Sequence, residues 1–188
     1  MAVVEIDCTQ GRLSSGIRVA ACRRFAGLCV EASRRIDERE LVHRYPLQLV
    51  GHDTQVRLLT DLGVRECNLN DHCVEITAES LDGLDPAILE HLARHVGARV
   101  FDSKEIYRRL TDGGERRFVL AFDDLINHSS AANLQFALAL GASDAERSQG
   151  FAWGELYALR AIESGEELTI DYRTFYGADW EPPAEWLA

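Results

Sequence analysis

Two segments concentrate side chains capable of chemistry. The first, Asp123-Asp124-Leu125-Ile126-Asn127-His128-Ser129-Ser130-Ala131-Ala132-Asn133, sets two asparagines and a histidine among small polar residues, between apolar runs. Small polar residues let one backbone approach another and offer side-chain hydrogen bonds to a ligand; the same composition also makes an Asx-rich turn that satisfies itself. The second, Gly165-Glu166-Glu167-Leu168-Thr169-Ile170-Asp171-Tyr172, ends a strand-like run on an acid and a tyrosine. A tyrosine at a strand end ordinarily packs its ring and leaves the hydroxyl at the surface. Metal chemistry has weaker candidates. Cys67, His72 and Cys73 match no structural zinc spacing. His91 and His95 stand at i and i+4 without the intervening glutamate of a zincin helix. No metal ligand set is expected.

The elements that must position these segments are mostly short strands. Ile17 to Ala21, Leu28 to Ala32 and Leu41 to Tyr45 carry β-branched or apolar residues, punctuated by Gly11, Gly16 and Gly27. Cys73 to Thr77 alternates like a strand. A helix is then expected within residues 84–97. Asp85 is its N-cap, Pro86 its first residue, Ile88, Leu89, Leu92 and Val96 its apolar face, and Gly97 its stop. A second helix is expected from Ser103 to Leu110, before the turn Asp112-Gly113-Gly114. Strands return at Phe118 to Phe122, Leu134 to Leu140, Gly154 to Ile162 and Glu167 to Ile170, with the turn Glu163-Ser164-Gly165 between the last two. Short strands around a helical middle describe a β-rich α+β domain.

Composition bounds the function. The 188 residues suit one domain, and 46% hydrophobic with 27% charged residues is the balance of a globular chain. A net charge of −11 disfavours direct nucleic-acid binding and suits a cationic protein or peptide. Residues 144–188 alone hold ten acids against Arg147, Arg160 and Arg173. Their surplus reads either as a solvated surface or as a field drawing a cation to the site. Lys104 is the only lysine. The start has no basic, then apolar, leader, and no apolar run reaches the ~20 residues of a membrane span. Cys8, Cys22, Cys29, Cys67 and Cys73 are odd in number and form no C-x-x-C pair. A reduced, cytoplasmic protein is expected.

Taken in order, Asn127-His128-Ser129-x-x-x-Asn133 and Gly165-Glu166-Glu167-Leu168-Thr169-x-Asp171-Tyr172 resemble the two C-terminal signatures of the SET-domain family of protein methyltransferases. Tyr157-Ala158-Leu159-Arg160-Ala161-Ile162 resembles the strand leading into the second signature. Residues 27–36 are similar to the family's opening Gly-x-Gly, with Cys29 at the second glycine, and Glu40 to Pro46 to the strand that follows. Ser130 and Ala132 stand where many members carry cysteine and proline. No cysteine cluster follows Tyr172.

The resemblance implies a SET-like fold of several small sheets, with a knot-like crossing where the segment ending at Tyr172 passes the loop 127–133. It implies one domain over 1–188, with residues 51–115 as a variable insertion and 177–188 as a tail. It also implies an S-adenosylmethionine-dependent N-methyltransferase acting on a protein lysine. Gly27, Leu28, Cys29, Asn127 and His128 would bind the cofactor and Tyr172 would be catalytic. Phe175 or Tyr176 would lean on the adenine or wall the substrate channel. Methyl transfer is an in-line displacement from a sulfonium, so placement dominates over acid–base chemistry. Two alternatives remain at this point: a small amine or amino-acid acceptor, and a SET-like binding module without catalysis.

Overall fold

The structure, a computed structural model, describes residues 3–10, 12–23, 27–51, 54–67, 73–111, 118–121, 125–147 and 152–182, with backbone alone at residues 67, 73–75, 118–121, 175 and 176. Four small sheets make up the β structure, as the expected fold requires. Ile17–Ala21 (β2) and Leu28–Ala32 (β3) form an antiparallel hairpin with Ala20 opposite Cys29. The largest sheet runs β10-β11-β4-β8-β7, built from Leu134–Ala139 (β10), Ala152–Ala158 (β11), Leu41–Gly51 (β4), Phe118–Ala121 (β8) and Cys73–Glu75 (β7). Its neighbours are all antiparallel.

β4 is longer than expected. The expected strand is Leu41 to Tyr45, and Pro46, which follows it, lacks a ladder donor. The strand instead runs on to Gly51, with its partners changing just past the proline. β11 pairs with residues up to Leu47, and β8 takes over from Gln48. The missing donor falls next to the handover, opposite Trp153.

A third sheet has no counterpart in the sequence reading. Val3–Asp7 (β1) lies parallel to Gln55–Thr60 (β5), which turns antiparallel into Gly63–Cys67 (β6). Val56, Leu58 and Thr60 point inward in strict alternation. Gly63 turns the hairpin at φ +123°, a conformation that disfavours any side chain. Thr60 Oγ1 donates to Gly63 O at 3.0 Å and accepts from Leu62 N at 3.2 Å.

The helix Pro86–His95 has the expected caps. Asp85 accepts from Ala87 N at 2.8 Å, and Gly97 takes φ +68° past the end. Ile88, Leu92 and Ala93 are buried. Ser103–Thr111 is also helical, with Ile106 and Leu110 inward. Thr77 corrects the expected strand: it caps a short helix, Ala78–Asp82, by accepting from Ser80 N at 3.2 Å while Ser80 Oγ accepts from Thr77 N at 2.9 Å. This reciprocal box satisfies two otherwise unpaired donors. The expected turn at 112–114, along with His72, Phe122, Asp123 and Asp124, lies outside the described residues.

One continuous core joins these parts. Leu47, Leu58, Leu81, Leu92, Ile106, Leu156, Ile162 and Leu168 are almost fully enclosed within it. Gly154 lies at a close approach, opposite Tyr45 on β4. A Cβ there would stand 2.7 Å from Tyr45 Cζ and 3.0 Å from Phe136 Cε2. Tyr45 is buried and stacks on His43, so its ring has little room to yield. Gly154→Ala should therefore destabilise the protein by roughly 1–3 kcal/mol, the range for an overfilled core. Chemical denaturation measures this, and an unchanged midpoint would show that Tyr45 moves freely.

Candidate functional site

The two signature segments meet. The turn Glu163-Ser164-Gly165 closes as expected, with Glu166 N donating to Glu163 O at 3.1 Å and Gly165 at φ +82°. It delivers the chain onto β3. Gly165 N donates to Ala32 O at 2.7 Å, Ala32 N to Glu166 O at 2.9 Å, and Leu168 N to Val30 O at 2.8 Å, with Glu31 bridged to Glu167. The chain then changes partner. Thr169–Ile170 (β12) pairs in parallel with Asn127–His128 (β9), and Ser129 N donates to Ile170 O at 3.0 Å. Residues 165–170 thus run from β3 onto the 127–133 loop, the juxtaposition a knot-like crossing requires.

Asn133 holds this crossing from within. It is only 2% exposed. Its Oδ1 accepts from Thr169 N at 2.9 Å, and its Nδ2 donates to Glu167 O at 2.8 Å. One amide therefore satisfies a donor and an acceptor of the backbone where it changes partner from β3 to β9. Asn127, six residues earlier, reaches the opposite way: its Nδ2 donates to Glu167 Oε1 at 2.8 Å and to Leu28 O at 3.4 Å.

Tyr172 follows β12 and starts the short helix Arg173–Tyr176. Its backbone N donates to His128 Nδ1 at 3.1 Å, which makes Nδ1 the acceptor of the ring. Its hydroxyl donates to Ile126 O at 2.9 Å. The His128 and Tyr172 ring centroids are 5.4 Å apart. Asp171 turns outward onto Arg173, whose Nε reaches its two oxygens at 2.9 and 3.0 Å. That guanidinium, with the Arg173 backbone N–H, holds the Asp171 carboxyl below its usual range.

A third aromatic, Trp180, completes the group. Its ring lies edge-on to His128 at 4.9 Å and 5.6 Å from Tyr172. The sequence reading passes over it. The available signal was a large aromatic flanked by Asp179 and Glu181 in a polar tail, where a ring without a packing partner would be costly.

The hairpin end of β3 brings in the remaining expected residues. Gly27 O accepts from Cys22 N at 2.9 Å. Cys29 is 3% exposed, with its thiol beside Cys22 and Glu167. Burial, then the neighbouring Cys22 and Glu167, push the Cys29 thiol up to about 12, so it stays protonated at neutral pH. Side chains at 175 and 176 lie outside the described residues. Among the described residues, His91 and His95 find no third ligand.

The acidic surplus of the C-terminal part is largely engaged. Asp144 pairs with Arg147, Glu146 and Glu155 with Arg44, Glu163 with Arg35, Glu166 with Arg160, and Asp171 with Arg173. Among the described acids of this part, Glu167, Asp179 and Glu181 form no such pair with an arginine. These three lie beside Asn127 or Trp180.

A family model for the SET domain matches residues 27–173. The chain belongs to the SET-domain family. The match begins at the glycine before β3 and ends one residue past Tyr172, so it encloses both segments of the crossing. Solved structures show distant likeness to this SET-domain protein. A Plasmodium falciparum protein assigned as a histone methyltransferase is 15% identical, at a TM-score of 0.43 over 89% of this chain and 97% of that one. A humanized mutant of the Chaetomium thermophilum Polycomb Repressive Complex 2 is 14% identical, at 0.39 over 85% of this chain and 15% of that one. An active polycomb repressive complex 2 in its basal state is 15% identical, at 0.38 over 85% and 16%. No curated protein matches. Among the described residues no helix is long and apolar enough to cross a membrane.

Proposed function

We propose that this SET-domain protein is an S-adenosylmethionine-dependent N-methyltransferase that modifies a lysine side chain of a protein. One observation carries the reading: Tyr172 is brought against the Asn127-His128 loop, with its N–H on His128 and its hydroxyl on Ile126 O. Tyr172 is the catalytic residue of this proposal. Gly27, Leu28, Cys29, Asn127, His128 and Tyr176 form the cofactor site. The whole chain is taken as one such domain, with residues 51–115 as the insertion and 177–188 as the tail. The continuous core through β4 and the helices of the insertion supports this.

The residues present suit the cofactor. The Leu28 carbonyl and the Asn127 side-chain amide, which carries a second acceptor in its Oδ1, converge at the end of β3. An acceptor-rich corner of this kind attracts an ammonium and a sulfonium. When bound, S-adenosylmethionine supplies a methyl group on a positively charged sulfur. The chain's own part is placement. The Tyr172 oxygen, whose O–H donates a hydrogen bond to Ile126 O, keeps lone pairs for C–H···O contacts with a polarised methyl. The rings of His128, Tyr172 and Trp180 exclude water beside it. A lysine amine has a pKa of about 10.4 in water and must lose its proton to act as nucleophile. An aromatic-walled entrance lowers that value by desolvation. Asp179 and Glu181, both exposed and flanking Trp180, favour a cationic protein or peptide at the entrance. Cys22 and Cys29 carry reduced thiols although their sulfurs lie within 4.8 Å of each other, which supports action in the reducing cytoplasm.

Calorimetric titration with S-adenosylmethionine tests the proposal directly. Asn127→Ala and His128→Ala should each weaken binding about tenfold or more, since a ligand group left unpaired costs roughly 1–3 kcal/mol. Unchanged affinity in both folded variants, or no binding by the parent protein, overturns the cofactor assignment.

A further inference from the structure

Two thiols and a carboxylate converge where the β2–β3 hairpin meets the C-terminal segment. Cys22 sits just past β2 and donates its N–H to Gly27 O. Cys29 lies on β3. Glu167 arrives from the segment bridged to Glu31. Their ligand atoms, Cys22 Sγ, Cys29 Sγ and a Glu167 carboxylate oxygen, lie within 4.8 Å of one another, with Cys22 Sγ 3.9 Å from Glu167 Oε1. Cys29 is buried, and the other two are half-buried. The Asn127 amide donates to Glu167 Oε1 at 2.8 Å and so orients the carboxylate toward the thiols.

We propose that Cys22, Cys29 and Glu167 form a binding site for a thiophilic divalent cation of the zinc class, which clasps the β2–β3 hairpin to the segment carrying the second signature. The donor set is the reason. Thiolates select soft or borderline ions, and a carboxylate beside them is a common third zinc ligand. With zinc bonds of about 2.3 Å to sulfur and 2.0–2.2 Å to oxygen, neighbouring ligand atoms in a tetrahedron stand roughly 3.3–3.8 Å apart. The observed spacing closes to that by shifts of about an ångström. Three protein ligands leave a fourth position for water. A disulfide between the two cysteines would leave the third donor unused. Binding needs no oxidant: each thiol gives its proton to solvent, and the ion accepts an electron pair from two thiolates and one carboxylate.

The test uses the full chain, reduced and stripped with a chelator, titrated with Co2+. A thiolate-to-cobalt charge-transfer band should grow to saturation at one ion per chain. Zn2+ should then displace the cobalt and raise the melting temperature. Cys22→Ser and Cys29→Ser should each weaken Co2+ binding at least tenfold and diminish the band. Glu167→Gln should weaken binding at least tenfold while keeping it. The triple variant Cys8→Ser/Cys67→Ser/Cys73→Ser should bind as the parent does. X-ray absorption of the zinc form should show two sulfur ligands. If the buried Cys29 variant fails to fold, the half-buried Cys22 variant and the sulfur count still decide. The proposal is overturned by no band at one equivalent, by a band that survives Cys22→Ser unchanged, or by one lost in the triple variant. Cofactor affinity is not among these readouts, so failure here leaves the methyltransferase reading standing.

Discussion

Tyr172→Phe is expected to lower methyl-transfer turnover at least tenfold while cofactor affinity stays nearly unchanged. The substitution keeps the ring, and with it the contacts to His128 and Trp180. It removes only the hydroxyl that now donates to Ile126 O. A tenfold loss corresponds to about 1.4 kcal/mol of transition-state stabilisation. The fold also loses a hydrogen bond worth about 0.5–1.5 kcal/mol, so the melting temperature should fall modestly. The two effects separate cleanly. An orienting role lowers kcat at a temperature where the variant is fully folded and leaves cofactor titration unaltered. A merely structural role lowers the melting temperature and leaves kcat of the folded fraction intact. Full turnover by folded Tyr172→Phe on a confirmed substrate would remove Tyr172 from the mechanism.

Asn133→Ala is expected to be the most destabilising single change at the crossing, by roughly 2–6 kcal/mol. The side chain is sealed from water. Its amide pairs the Thr169 N–H and the Glu167 carbonyl, and alanine leaves both behind. Each buried polar group stripped of its partner costs about 1–3 kcal/mol. Because the two groups share one segment, the costs need not add in full. The consequence reaches the site, since Thr169 pairs with Asn127 and Ile170 with His128. Cofactor affinity should therefore fall along with stability, although Asn133 is no part of the proposed cofactor site. Denaturant unfolding together with calorimetry checks both. A near-normal unfolding midpoint would mean that the loop and the strand hold their register without the amide.

The acidic C-terminal part shows where counting residues stops being informative. Ten acids against three arginines describe a strong field in the sequence. In the fold, Arg35 and Arg44 come from far upstream to pair with Glu163, Glu146 and Glu155. Among the described acids, those without an arginine partner stand beside Asn127 and Trp180, a location that no composition reveals.

The sequence by itself determined those features whose cause lies within a few residues. The helix Pro86–His95 follows from an Asp-Pro start, an apolar face at helical spacing and a glycine just beyond the end. The 163–165 turn and the strands β2 and β3 were legible for the same reason, because capping, left-handed φ and alternation are local properties; the two signature segments were legible through their resemblance to the SET-domain family. Other local signals were present but overruled or overlooked. Pro46 lacks a ladder donor, yet β4 runs through it and changes partner strand just beyond, and Thr77 completes an alternating run yet caps a helix. Tertiary structure alone decided the rest. It set β1 beside β5 across some fifty residues, placed Trp180 on His128 and Tyr172, and brought Glu167 to Cys22 over a separation of 145 positions. Such contacts form because burying the core and pairing its backbone fold distant segments together, and no spacing within the sequence encodes which side chains then meet.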